Sequence, residues 1–350
     1  SDDFFELGGH SLLAIKAVSR IRDIFEVDLQ TQTLFENPTI TGLSKILTEA
    51  KGSGGSIQRI VQREQGGPCS LSFAQEQLWF IDQFAPGSPV YNMVDVIPVR
   101  GRCDAEAMRR AMKELVRRHE VLRTAFSPSD GRSLQVVLPT VDLALSELDL
   151  ISLSEQERER EWTRVVREQG RKPFDLSQAP LLRGTMVHLS HQEHRLLLVI
   201  HHIIADEWSM EIIHHEVNQL YDAYSQGRLS PLPELPIQYA DFACWQRNWL
   251  KGEMLEKQIS FWKEELAGAA AILELPTDKP RPAVQSFRGA TEIFQVPETL
   301  LDRLKSLGRD EHATLFMILE AGFMALLYRY TGQDDILVGT PISGRTFSET

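Results

Sequence analysis

Cysteine is scarce in this 350-residue chain: Cys69, Cys103 and Cys244 stand far apart and form no CxxC pair. That spacing argues against a zinc ribbon or a disulfide framework and fits a reducing cytosol. Long hydrophobic runs are missing as well. No stretch approaches the roughly 18 apolar residues that a membrane span requires, and the acidic N-terminus lacks the basic and apolar character of an export leader. The expectation is a cytoplasmic protein with no membrane partner. Positive charge is in deficit, with a formal net charge of −12. Such a chain offers no general field to phosphate backbones, so nucleic acid is not an expected partner. HExxH is absent, and no metal site is expected.

What is present is ordinary globular material, 42% hydrophobic and 25% charged. At this length two or three folding units are expected. Leu12 to Phe25 carries apolar residues at helical spacing, and a second helix is expected from about Ile40 to Ala50 behind Asn37-Pro38-Thr39. The stretch "KGSGGSIQRIVQREQGG", 51–67, reads as a linker, although Ile57, Ile60 and Val61 imply that part of it docks. Asp104 should cap a helix through Glu120, and another should run from about Ser154 to Gln169. Residues 194–201 read as a strand buried on both faces, followed by a helix over Glu211 to Ser225. Further helices are expected over Tyr239 to Leu266 and from Ala313 to Tyr330, the latter apolar almost all round and so buried in a lobe. "DDILVGTP" reads as an inner strand.

Two stretches carry candidate chemistry. In "LGGHSLLAIKAV", Ser11 stands at a helix start behind Gly8-Gly9-His10. It reads either as an N-cap or as an attachment point, where helix-terminal N–H groups favour a phosphodiester. In "HHIIADEWSM", His201 and His202 close the apolar strand. A satisfied core histidine, a metal ligand and a base for acyl transfer to an amine are the three readings. Adjacent side chains of a strand point to opposite faces, so one histidine should be structural.

The motifs are similar to those of a known family. "DDFFELGGHSL" resembles the signature of peptidyl carrier proteins, which implies 4′-phosphopantetheine covalently held on Ser11. "HHIIADEWS" resembles the HHxxxDG motif of nonribosomal peptide synthetase condensation domains. "LSFAQEQLWFIDQF", "RRHEVLRTAF", "PFDLSQAPLLR", "YADFACW" and "VGTPISGR" match the other signatures of that family in order. The resemblance implies a multi-domain chain. A small all-α carrier bundle, lacking its first helix, occupies 1–50, and the linker 51–67 follows. An α/β condensation domain of two chloramphenicol-acetyltransferase-like lobes then spans 68–236 and 237–350, with the second lobe truncated.

It further implies an acyltransferase that forms peptide bonds, with His202 catalytic and His201 structural. Asp206 is expected in a salt bridge with Arg345, or second with Arg288. Arg123 and His119 are expected in the site wall, and Gln75, Trp79, Tyr239, Asp241 and Trp245 in packing or inter-lobe anchoring. Glu207 departs from the family pattern, standing where Gly is usual, beside the acceptor's path. The first motif resembles the subtype taking an L-configured or glycine donor. The implied partners are an upstream adenylation domain, a downstream acceptor carrier domain, a phosphopantetheinyl transferase, and aminoacyl or peptidyl thioester substrates. The rival readings are a non-catalytic condensation-like platform that recruits a partner protein, and an epimerisation domain.

Overall fold

A computed structural model describes the chain apart from residues 1, 6, 10, 26, 28, 30, 51–59, 64–66, 130–131, 271, 281, 283–288, 312, 343 and 345–350. Compaction separates Lys251–Ile342 from a larger unit that contains Ser1–Leu250.

The larger unit begins with three helices, α1 (Ser11–Phe25), α2 (Thr31–Glu36) and α3 (Ile40–Ala50). They enclose Ala14, Val18, Leu29 and Leu34. Ala14 and Val18 stand one turn apart on the covered face, whereas Leu13 and Ile24, counted in the apolar spacing, are exposed.

Further on, β1 (Cys69–Ser70) precedes α4 (Phe73–Phe84), β2 (Asn92–Arg100) and α5 (Ala105–Arg118). A short 3-10 helix (Glu120–Arg123) leads into β3 (Thr124–Ser129) and β4 (Arg132–Val137), which join β1 in an antiparallel sheet of order β1-β4-β3. Then come β5 (Leu145–Asp149), α6 (Glu155–Arg171), β6 (Leu182–His188), β7 (Glu193–His201), α7 (Glu207–Ser225) and α8 (Tyr239–Trp249). The principal sheet has the order β2-β7-β6-β5. β7 runs antiparallel to both neighbours, and β5 pairs parallel with β6. A parallel pair needs a crossover, which α6 supplies.

The run Leu196 to Ile200 is buried on both faces because helices cover both sides of the sheet. Leu196, Leu198 and Ile200 join the core made with α5 and α7, whereas Leu197 meets Trp162 and Val165 of α6. Helix starts follow their capping residues: Asp104 accepts from Ala107 N at 2.9 Å, and Ser154 and Glu157 form a reciprocal box at α6.

The second unit holds α9 (Glu253–Glu265), α10 (Glu298–Asp310) and α11 (Leu315–Thr331). Four expectations differ here. The helix foreseen over Tyr239 to Leu266 is broken into α8 and α9 at Gly252, whose φ of 56° lies in the left-handed region. Residues 237–250, expected to open the second lobe, compact with the first unit, because Tyr239 and Gln246 hydrogen-bond to Ser72 and Phe73. Helix α11 forms, yet Phe316, Leu319, Phe323 and Leu326 are exposed rather than buried. "DDILVGTP" forms no strand, so among its described residues this unit has no sheet layer to cover that helix. No single helix among the described residues is long and apolar enough to cross a membrane.

Candidate functional site

The carrier-like turn is built by backbone. Phe4 N–H donates to Pro38 O at 2.8 Å, Gly9 N–H to Phe4 O at 2.9 Å, and Phe5 stacks on Phe35 at 4.9 Å between ring centroids. Both glycines are required. Gly8 has φ 94°, and a Cβ on Gly9 would collide with the ring and carbonyl of Phe4. This turn delivers Ser11 as the first residue of α1, whose first turn contains no acidic residue. A phosphodiester fits such a helix start, since a helix N-terminus favours an anion and the first turn carries no carboxylate of its own. The residues present therefore suit a 4′-phosphopantetheine group on Ser11, which supplies a thiol that carries acyl groups as thioesters.

The two histidines part company because β7 ends between them. His201, its last residue, pairs with Asn92 of β2 and is 3% exposed. Its Nδ1 accepts the N–H of Ile203 at 3.1 Å, so that nitrogen is unprotonated and the ring is neutral. Burial, helped by the neighbouring His202, pushes its pKa down to about 4.

His202 lies in the turn beyond the strand and is exposed. Its backbone N–H donates to Tyr91 O at 2.8 Å, and its Nδ1 lies 2.8 Å from Ala205 O. A carbonyl only accepts, so Nδ1 carries the proton and a neutral ring keeps its lone pair on Nε2. The ring of Tyr91 stands 6.5 Å from that of His202.

Around this turn each expected residue has a definite employment. Asp206 is the N-cap of α7: Oδ1 accepts from Ser209 N at 2.8 Å and from Ser209 Oγ at 2.6 Å. The ion pair expected with Arg345 or Arg288 falls outside the described residues. Glu207 opens α7 and is exposed, placing a negative charge where the helix dipole favours one. Gln75 is buried; its Oε1 accepts from Ser72 N at 3.0 Å and its Nε2 donates to Ile203 O at 3.4 Å, which ties α4 to the histidine turn. Trp79 packs against the main core.

Arg123 braces the 3-10 helix, donating to Leu138 O and lying 3.5 Å from Glu120. His119 Nε2 is 2.8 Å from Glu216 Oε2, and Arg118 reaches both oxygens of that carboxylate at 3.2 Å. Burial alone would raise the Glu216 pKa, but the bonds from His119 and Arg118 prevail and hold it at about 2. Tyr239 Oη and Ser72 Oγ are 2.9 Å apart, and Trp245 stacks on Trp249 at 5.4 Å. Asp241 receives Arg63 from the linker, at 2.9 Å.

The structure thus gathers His201, His202, Asp206 and Glu207 in one turn and leaves Arg123 and His119 in supporting networks. Sequence reasoning missed Tyr91, Ala205 and Arg63. The first two act on His202 through backbone carbonyls, which leave no mark in a sequence. Arg63 was visible only as a cation in a linker. Among the described residues no group of three or more His, Cys, Asp or Glu side chains is placed to hold a metal ion.

Residues 66–350 match the condensation domain family, and the chain belongs to it. Residues 1–47 match the phosphopantetheine attachment site family. The whole chain is 45% identical to part of one linear gramicidin synthase polypeptide of Brevibacillus parabrevis and 47% identical to part of another. It is 39% identical to part of the phosphinothricin tripeptide synthetase PhsB of Streptomyces viridochromogenes. It spans 4%, 7% and 30% of those proteins respectively. Among solved structures, the complex of the X-domain and OxyB from teicoplanin biosynthesis aligns with a TM-score of 0.70 at 27% identity, covering 78% of this chain and 59% of that one. SgcC5 from Streptomyces globisporus aligns with a TM-score of 0.64 at 32% identity, covering 80% and 65%.

Proposed function

We propose that the chain forms peptide bonds in nonribosomal peptide synthesis, as an acyltransferase. The donor acyl or peptidyl group is held as a thioester on the arm of Ser11, and the α-amine of an aminoacyl group on a downstream carrier attacks it. A carbon–nitrogen bond forms at the thioester carbonyl, giving a tetrahedral oxyanion. Its collapse breaks the carbon–sulfur bond, and the growing chain passes to the acceptor. His202 Nε2 takes or shares the proton lost by the attacking nitrogen, and the departing thiolate receives one proton, so the balance closes.

The observation that carries this reading is the division between the histidines. One ring is sealed and neutral, while the other is exposed with Nδ1 occupied and Nε2 open. Condensation-domain relatives within peptide synthetases support it. A two-lobed arrangement of the chloramphenicol-acetyltransferase kind, following a carrier at 1–50, belongs to the same proposal. So do an L-configured or glycine donor, a cytoplasmic setting, an adenylation domain upstream and a phosphopantetheinyl transferase that loads Ser11. The test is mass spectrometry of the full polypeptide charged with donor and given a loaded acceptor carrier. A dipeptidyl product on the acceptor arm is expected, and its absence with both partners loaded refutes the reading.

One comparison favours a second reading. The X-domain neighbour was solved in complex with OxyB, so a fold of this kind can serve as a docking platform. On that reading His202 is idle, and His202→Ala leaves every measurable activity of the chain unchanged.

A further inference from the structure

Residues 60–63 of the linker are tied down. Ile60 is buried and Gln62 Nε2 donates to Pro236 O. Arg63 donates its backbone N–H to Asp241 Oδ1 at 3.1 Å, Nη1 to the same oxygen at 2.9 Å, and Nη2 to Glu120 Oε2 at 2.7 Å. The side chains of Arg63, Asp241 and Glu120 are only 14%, 6% and 22% exposed, unlike the solvated ion pairs that contribute little. Asp241 Oδ2 accepts from Gln238 N at 2.7 Å, so the carboxylate is held at the start of α8. A guanidinium that bridges two carboxylates from different elements fixes direction as well as position.

Chain geometry converts this anchor into a tether length. Helix α3 ends at Ala50 and the anchored stretch begins at Ile60, which leaves residues 51–59 between them. Nine residues reach at most about 30 Å, whereas a linker free as far as residue 67 would have about seventeen residues and reach about 60 Å.

We propose that Arg63 is a positioning residue for donor delivery: by pinning the linker to Asp241 and Glu120 it shortens the tether of the Ser11 carrier and raises the donor's effective concentration at His202. The proposal rests on the transfer reaction proposed above. Effective concentration falls roughly as the −3/2 power of length for a tether that can span its sites. Release from nine to seventeen residues therefore lowers it about 2.6-fold.

The test compares two routes in the full polypeptide, with a loaded acceptor carrier throughout: donor loaded on Ser11, and donor supplied as a soluble pantetheine thioester in excess. A releasing variant, Ile60→Ser with Gln62→Ala and Arg63→Met, removes the buried contact, the bond to Pro236 and both ion pairs together. It should slow transfer from Ser11 about two- to threefold and leave soluble-donor transfer unchanged, whereas a merely structural role lowers both. Deleting four of residues 51–59 cuts the reach to about 17 Å. In the anchored chain this should depress transfer from Ser11 severely, and adding the three releasing substitutions should restore part of it because the released linker returns length. Equal changes by the two routes, or a deletion no worse in the anchored chain than in the released one, overturn the anchor while the reaction stands. Failure of the wild type to use either donor refutes the reaction itself, and with it any delivery for Arg63 to assist.

Discussion

Acid should weaken this fold through His201 in a window set by its burial. The ring is pushed down to about 4 from an ordinary value of 6.5, by burial first and by His202 second. Above about pH 6.5 it is neutral in folded and unfolded chains alike and adds no pH dependence. As pH falls below that value the unfolded chain takes up the proton first, and stability is lost until the folded ring titrates near 4. A depression of about 2.5 units corresponds to about 3.4 kcal/mol in all, of which about 2 kcal/mol is lost by pH 5. Glu216, held at about 2, contributes stability that disappears only as pH falls from about 4.5 towards 2, so it stays outside this window. The perturbation is His201→Asn, which removes the titrating ring and keeps an acceptor in reach of Ile203 N–H. Urea unfolding of both proteins at about pH 7.5 and 5 supplies the comparison. The wild type should lose about 2 kcal/mol more than the variant on acidification; parallel losses would refute a buried, neutral His201.

His202→Ala should slow transfer by about 10²- to 10⁴-fold, the range of a positioned acid–base group, with no change in the melting transition because the ring is exposed; a matching drop in stability would assign the residue to the fold. Ser11→Ala should abolish attachment of the arm, read by intact mass, and Gly9→Ala should impair it because the new methyl meets Phe4; full loading of Gly9→Ala would show that the turn is dispensable. Glu207→Gly should alter transfer through charge rather than bulk, since the side chain is exposed at the start of α7. Small and large acceptors should then accelerate alike, and a shift in their rate ratio would point to sterics instead.

Much of this was legible where a period or a cap marks the chain. The spacing in Leu12 to Phe25, the cap Asp104, the helix start near Ser154 and the continuous run into β7 each named their element, because the signal there is local. β2 was not foreseen: Pro98 interrupts its pattern, and it is tolerated because β2 is an edge strand. α11 shows the opposite failure. Its all-round apolar surface read as burial, yet burial depends on what other elements offer, which no helix encodes about itself. At the site, the step from His201 to His202 was foreseen from strand alternation, although what separates them is the end of the strand. Asp206 was read for a distant cation, while its visible employment is the cap of the helix that follows. Arg63 looked like linker chemistry because its carboxylates lie 57 and 178 positions away.

The clamp on His202 Nδ1 is the carbonyl of residue 205, and that atom is the same whichever amino acid stands there. Replacement of the Ala205 side chain cannot delete it. Scanning residue 205 by substitution would therefore pass over the interaction itself, which depends instead on the backbone path of the turn. A change in the number of residues between 202 and 205 breaks it outright. The reactive nitrogen is thereby guarded by the length of a loop, an inheritance far harder to erode one codon at a time than any side-chain partner.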